Sequence, residues 1–147
     1  MICLILCKTS HNFQMILPFL LTALYPLPER VPVSQPYGLV RHGRTHKGID
    51  LIAPIGTPVK ATIEGTVIIA ATYGKNGSYG KTVIIENKSQ RVLMAHMSEI
   101  KVRPGDRVRP DTIVGNVGVT GNTTGSHLHY EKFLKLDGDW VRVDPGL

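Results

Sequence analysis

GNTTGSHLHYE, residues 121–131, is the stretch on which the reading of the fold turns. If Ser126 to Leu134 is extended, side chains alternate between two faces, and His127 and His129 share one face about 6.6 Å apart along the strand. Two imidazoles then occupy one pocket. That spacing suits a division of labour in which one ring binds a metal and the other reaches a water or substrate oxygen on it. Beyond it, HLHYEKFLKLDGDWVRVDP reads as a hairpin turning at Asp137 and Gly138 and ending at Pro145.

A second constellation lies far upstream in THKGIDLIAP, where His46 and Asp50 stand four apart. The spacing is even on a strand and one turn on a helix, so the two side chains converge under either backbone. His42, four before His46, is a rival ligand, but between Arg41 and Gly43 it reads as part of an exposed loop. RVLMAHMSEI, Arg91 to Ile100, reads as a strand that delivers His96 near its C-terminal end. Taken singly, these residues have plainer readings: His46 and Asp50 as a polar pair beside a turn, His96 as a core histidine satisfied by backbone.

Composition restricts the chemistry. A chain of 147 residues is one domain's worth, long enough to bury a core without disulfides. Hydrophobic content of 42%, with 15 Gly and 10 Pro and apolar runs rich in Val and Ile, favours strands joined by turns. Both cysteines, Cys3 and Cys7, lie at the extreme N-terminus, so metal chemistry beyond Lys8 must use His and carboxylates. The formal charge of +6 suits an anionic partner, whether nucleic acid, an acidic membrane or a carboxylate-bearing and phosphate-bearing cell envelope, and does not choose among them. No run of five Lys/Arg and no basic stretch interleaved with aromatics is present, which argues against a nucleic-acid groove.

Residues 1–28 differ from the rest: MICLILC, polar KTSHNFQ, then MILPFLLTAL and YPLP. Neither apolar piece approaches the ~20 residues that span a bilayer, and Pro18 interrupts the second. The segment is read as an N-terminal extension: an export signal or anchor, a packed arm, or a mis-assigned start with initiation at Met15. A domain over residues 29–147 follows. Its strand candidates are Ile49 to Ala53, Val59 to Ile63, Gly65 to Thr72, Lys81 to Glu86 and Arg91 to Ile100, with turns at Tyr37–Gly38, Asn76–Gly77, Pro104–Gly105 and Pro110. Many short strands with Gly/Pro turns and no helical period predict a mainly β protein, an antiparallel sheet or sandwich.

THKGIDLIAPIGTPVKA, AHMSEI, VRPGDRV and GNTTGSHLHYE, in this order and at these distances, resemble the M23 peptidases, the LytM or lysostaphin-like family. The resemblance covers about Tyr37 to Pro145. It implies an antiparallel β-fold with a groove, one zinc ion per chain, and hydrolysis of peptide bonds in bacterial peptidoglycan, in stem peptides or cross-bridges. The family's metal ligands fall on His46, Asp50 and His129, and its catalytic histidines on His96 and His127. This assignment has the form of a catalytic zinc site, with three protein ligands and one position open. Such an ion polarises a carbonyl and lowers the pKa of its water to about 7. His96 and His127 would then orient or deprotonate that water and assist the oxyanion or leaving amine, the division between them remaining open.

Glu131 is a candidate second-layer acceptor for a histidine N–H. Tyr37 is a candidate oxyanion donor, although an aromatic beside a turn glycine reads better as packing. Asn122, Thr123 and Thr124 are expected to shape the loop before the HLH strand, with Asn122 a candidate substrate contact. Departures from the family pattern occur at Met94, where Tyr is frequent, at Ser126, where Pro is frequent, and at Asp111, where a Gly-Gln turn is frequent. None removes a ligand or a catalytic histidine. Two rivals carry different expectations. A non-catalytic LytM-like activator or binding module would dispense with the zinc ligands, and a biotinyl or lipoyl carrier would need an acceptor lysine motif that the sequence lacks. Action on peptidoglycan implies an extracytoplasmic, secreted or phage-associated protein.

Overall fold

A computed structural model describes residues 25–147. Successive buried residues of the apolar runs go to opposite faces: Val83, Ile85, Val92 and Met94 join the main core, whereas Ile84, Leu93 and Ala95 form a smaller cluster. The strands are β1 (Val33–Gln35), β2 (Val40–Arg41), β3 (Arg44–Thr45), β4 (Ile49–Ile52), β5 (Pro58–Lys60) and β6 (Gly65–Tyr73) in the first half of the chain. The second half holds β7 (Gly80–Glu86), β8 (Gln90–Ile100), β9 (Arg107–Val108), β10 (Ile113–Val117), β11 (His127–Leu136) and β12 (Asp139–Val143). Among the described residues helix is confined to one 3-10 turn, Lys75–Gly77.

Ten strands form one connected antiparallel sheet, in the order β1-β4-β11-β8-β7-β6-β9. Strand β12 pairs with β11, and β10 branches off to join β8 and β5. Strands β2 and β3 form a separate two-stranded hairpin. Strand β11 is therefore interior, paired with β4 on one side and β8 on the other. Its alternation sends Leu128 and Tyr130 into the main core, where they meet Ile49, Leu51, Val92 and Met94. The opposite face carries His127, His129 and Glu131, beside a smaller cluster of Ile84, Leu93 and Ala95. Complete burial of Leu51 and Leu128 is worth roughly 1.5–3 kcal/mol each relative to exposure. That burial fixes the register, because a slip of one residue would exchange the apolar and polar faces.

The expected hairpin after β11 turns at Asp137 and Gly138, with φ values of 50° and 91°. Left-handed backbone at both central residues matches the twist of the flanking strands, and Leu136 pairs with Asp139 across the turn. The strand expected over Val59 to Ile63 is shorter. Beyond Lys60 the backbone leaves the ladder, and the Ala61 amide donates to the Thr112 carbonyl at 2.8 Å. The extension expected over residues 1–28 lies outside the described residues except for its last four. Of these, Tyr25 and Leu27 are buried in the main core, and the Pro26 carbonyl accepts from the Lys60 amide at 2.8 Å.

Candidate active site

The site begins with a register. His129 on β11 lies directly opposite Asp50 on β4, so both side chains stand on the polar face of the sheet. His129 Nδ1 comes within 2.7 Å of Asp50 Oδ1. His46 reaches the same point from the β2–β3 hairpin, whose base is closed by the His46 amide donating to Leu39 and the Gly38 amide to His46. Its Nε2 lies 3.2 Å from Asp50 Oδ1 and 3.2 Å from His129 Nδ1. Gly48 permits this convergence, because a Cβ there would overlap the Tyr130 carbonyl oxygen and stand 2.9 Å from the His129 ring.

His127 shares this face, its Nε2 3.6 Å from Asp50 Oδ1. His96 arrives by a different route. In an unbroken β8 it would point away from its neighbour Ala95, which lies opposite His129. Instead the β7–β8 register shifts between Lys81 and Val83, and His96 takes φ 61°. A bulge of this kind re-aims a side chain, and left-handed backbone at a non-glycine residue is a cost that the surroundings must hold. Here the His96 amide donates to the Tyr79 carbonyl at 2.8 Å. The turned ring lies 4.9 Å from that of His127 and 5.9 Å from that of His129, centre to centre.

Each of the four rings has an oxygen acceptor against its outer nitrogen. His46 Nδ1 faces the Pro36 carbonyl at 3.0 Å, and His96 Nδ1 faces Thr120 at 2.8 Å. His127 Nδ1 faces Gly125 at 2.8 Å, and His129 Nε2 faces the Glu131 carboxylate at 3.0 Å. A carbonyl or carboxylate can only accept, so each outer nitrogen carries the hydrogen and, in the neutral ring, the inner nitrogen presents a lone pair; a doubly protonated His129 instead donates Nδ1–H to Asp50. Those inner atoms are Nε2 of His46, His96 and His127, and Nδ1 of His129.

The electrostatics follow from burial and crowding. Burial alone would raise the Asp50 carboxyl, but the hydrogen bond to His129 and the charges of His129, His127 and His46 hold it below the usual range. Burial pushes His96 down to about 4, with His127 and His129 adding to the effect against the Thr120 carbonyl and Asp50. His129 is also opposed by burial, yet Asp50 and Glu131 on its two nitrogens raise it. Burial works against the Glu131 carboxylate too, and hydrogen bonds from His129, Tyr79 and Arg142 bring it below its ordinary value.

His46 Nε2, Asp50 Oδ1 and His129 Nδ1 fit a metal ion. Their separations of 3.2, 3.2 and 2.7 Å compare with the edge of about 3.3 Å expected for a tetrahedron with ligands about 2.0–2.1 Å from zinc. Two imidazole lone pairs and a carboxylate aimed at one point call for a cation between them. Of the sequence-derived candidates, His46, Asp50, His96, His127, His129 and Glu131 thus meet in one cluster. His42 lies exposed in the β2–β3 turn with φ 49°. Tyr37 is half-buried in the turn after Pro36, and Asn122 is exposed with its amide donating to the Ser78 carbonyl at 2.9 Å. Two residues of the cluster carry no signal in the sequence. Tyr79 donates its hydroxyl to Glu131 Oε1 at 2.6 Å, and Arg142 donates Nε to Oε2 at 2.8 Å.

Comparison with known proteins agrees with this geometry. The model of peptidase family M23 matches residues 44–145. The DD-carboxypeptidase/endopeptidase Mpg of Neisseria meningitidis serogroup B is 40% identical over 105 residues, covering 67% of this chain and 24% of that protein. The glycyl-glycine endopeptidase ALE-1 of Staphylococcus capitis is 34% identical over 113 residues, 75% of this chain and 30% of that protein. The chain thus spans less than a third of the length of these curated relatives. Among solved structures, the catalytic domain of lysostaphin from Staphylococcus simulans superposes with a TM-score of 0.69 at 29% identity, over 79% of this chain and 90% of that one. By the match of its sequence over nearly the whole sheet, and by an antiparallel fold shared with a lysostaphin catalytic domain, the chain belongs to peptidase family M23.

Proposed function

We propose that the protein is a zinc-dependent endopeptidase that hydrolyses peptide bonds in bacterial peptidoglycan. The observation that carries the reading is the convergence of His46 Nε2, Asp50 Oδ1 and His129 Nδ1, with two further imidazoles in contact with the same cluster. These three atoms would hold one zinc per chain. When bound, zinc supplies Lewis-acid polarisation of a carbonyl and activation of water at neutral pH.

The side chains do the proton work. His96 and His127 each enter the reaction with Nδ1 bound to a carbonyl and Nε2 free to accept. One Nε2 takes the proton of the attacking water and delivers it to the leaving nitrogen, while the other accepts a hydrogen bond from the same water and orients it. Their nearness, 4.9 Å between ring centres, lets both act on one scissile bond. The side chains of His46 and His127 are the more exposed, 14% and 16% against 8% for Asp50 and 9% for His129, so substrate approaches over those two rings.

The substrate class rests on relatives named as endopeptidases, among them a peptidoglycan DD-endopeptidase of Vibrio cholerae and a glycyl-glycine endopeptidase. The net charge of +6 suits the carboxylates of the wall. Such a substrate puts the working protein outside the cytoplasm, and none of the described residues forms a helix long and apolar enough to cross a membrane. The peptidase domain is assigned to residues 29–147, with the buried side chains of Tyr25 and Leu27 completing its core.

The test is zinc content together with mass spectrometry of fragments released from sacculi of different cross-bridge chemistry. About one zinc per chain and chelator-sensitive release of peptides are expected, and the fragments identify the bond. Metal-free protein that leaves every type of sacculus intact would support the rival reading of a non-catalytic activator.

A further inference from the structure

Behind the metal-facing side of His129 lies a second layer that reaches strand β12. Glu131 is completely buried, although it follows His129 by only two positions on the same face of β11. A buried carboxylate is costly unless its lone pairs are filled and its charge is met. Its Oε1 accepts from His129 Nε2 at 3.0 Å and from the Tyr79 hydroxyl at 2.6 Å. Its Oε2 accepts from Arg142 Nε at 2.8 Å. Among the described residues Arg142 is the one Lys or Arg bonded to Glu131, and it comes from β12, where it pairs with Phe133 and lies over that ring at 4.7 Å.

We propose that Arg142 and Tyr79 are positioning residues for the metal ligand His129, acting through Glu131. The proposal rests on the metal reading of the site. Arg142 Nε pins Glu131 Oε2 at 2.8 Å. Oε1 is then directed at His129 Nε2, the hydrogen stays on that nitrogen, and Nδ1 keeps its lone pair toward His46 and Asp50. Tyr79 makes a second tie. Its hydroxyl holds Oε1 while its backbone carbonyl holds the His96 amide in left-handed backbone. One residue before β7 thereby couples a ligand to a histidine that takes no part in ligation. Strand β12, none of whose side chains bonds a metal ligand directly in these hydrogen bonds, becomes part of the metal site through Arg142.

The experiment measures zinc affinity by competition with a chromogenic chelator for the wild type, Arg142→Met, Tyr79→Phe, Glu131→Gln and the double variant Glu131→Gln/Arg142→Met. Methionine keeps most of the packing on Phe133 and removes the charge. Loss of an outer partner of a ligating histidine typically lowers affinity about 10–100-fold. We expect that range for Arg142→Met and Glu131→Gln, and a few-fold loss for Tyr79→Phe. In Glu131→Gln the amide can satisfy His129 only by presenting its NH2 to the Arg142 donor, so the double variant should lose less than the product of the single losses. Cobalt-substituted Arg142→Met should show a visible spectrum altered from wild type, a change that a merely structural role would not cause.

Thermal unfolding in chelator reports on the fold separately. Variants that lose only metal-free stability, yet bind zinc and show the cobalt spectrum of the wild type, would overturn the proposal. If Arg142→Met does not fold, Tyr79→Phe decides alone: unchanged zinc affinity in that variant overturns it. A wild type that takes up no zinc overturns the metal reading itself, and this one with it.

Discussion

His127 and His129 differ by two positions and by which nitrogen faces the cluster. His129 turns Nδ1 inward, 2.7 Å from Asp50 Oδ1, whereas His127 turns Nε2 inward and stops at 3.6 Å. Substitution should separate the two. His129→Ala is expected to lose zinc and activity together, and His127→Ala to keep zinc but lose turnover by at least about 10²-fold, the low end for removal of a general base. Metal analysis and initial rates on the same preparations check this, and full activity of His127→Ala would refute the division.

His96 permits a second residue-scale prediction. Its folded value of about 4 lies below the ordinary 6.5, so between these values the unfolded chain holds a proton that the native state lacks. Stability of the chelated protein should therefore rise with pH across this window and fall as the medium is acidified. His129 acts in the opposite sense: its raised value contributes stability fully below 6.5, which is lost as pH climbs through the folded value. Urea unfolding at pH 4.5 and 6.5 should show a flatter dependence for His96→Gln than for the wild type. An unchanged slope would remove His96 as its source.

At the scale of elements, β11 was the most legible part of the chain and β8 the least. Alternation along HLHYE separates Leu128 and Tyr130 from His127, His129 and Glu131, and both sets go where period two sends them. The Asp137–Gly138 turn is equally plain, since both residues tolerate the left-handed backbone they adopt. The side on which His96 falls was not readable, because no glycine or proline in RVLMAHMSEI announces the bulge; long-range partners, the Tyr79 and Thr120 carbonyls, impose it. Tyr79 and Arg142 were invisible for a related reason. Their role is created by contacts 52 and 11 positions away, and each alone looks like any surface aromatic or cation.

Gly48, by contrast, sits inside the HKGID motif and has a task that the structure explains. Gly48→Ala would drive a methyl group into the β11 backbone at Tyr130 and against the His129 ring. Overpacking of this sort costs typically 1–3 kcal/mol. We expect a loss in that range on urea unfolding in chelator, accompanied by weaker zinc binding. A variant as stable as the wild type would show that β4 can move away from β11 without penalty.

For the whole molecule, charge and architecture make separate contributions. Family, fold and the identity of the cluster came from short motifs dispersed through the chain, whereas the core contribution of Tyr25 and Leu27 did not, since YPLP reads as the tail of the preceding apolar segment. The charge of +6 is a property of the whole chain, and its effect should appear as attraction to an anionic polymer. Added salt is expected to depress activity on intact wall more than activity on a small soluble peptide. Equal salt dependence for the two substrates would remove electrostatic attraction to the wall from the account.

The pairing of β4 with β11 has a kinetic consequence. Asp50 and His129 are 79 positions apart, and His46 and His129 are 83 apart. Closing so long a loop is slow relative to forming local hairpins such as β11–β12. A nascent or refolding chain is therefore expected to gain high affinity for the ion only once β4 has paired with β11, after the local hairpins have formed. Zinc capture, followed with a fluorescent competitor during refolding, would then be a clock for the arrival of the native state.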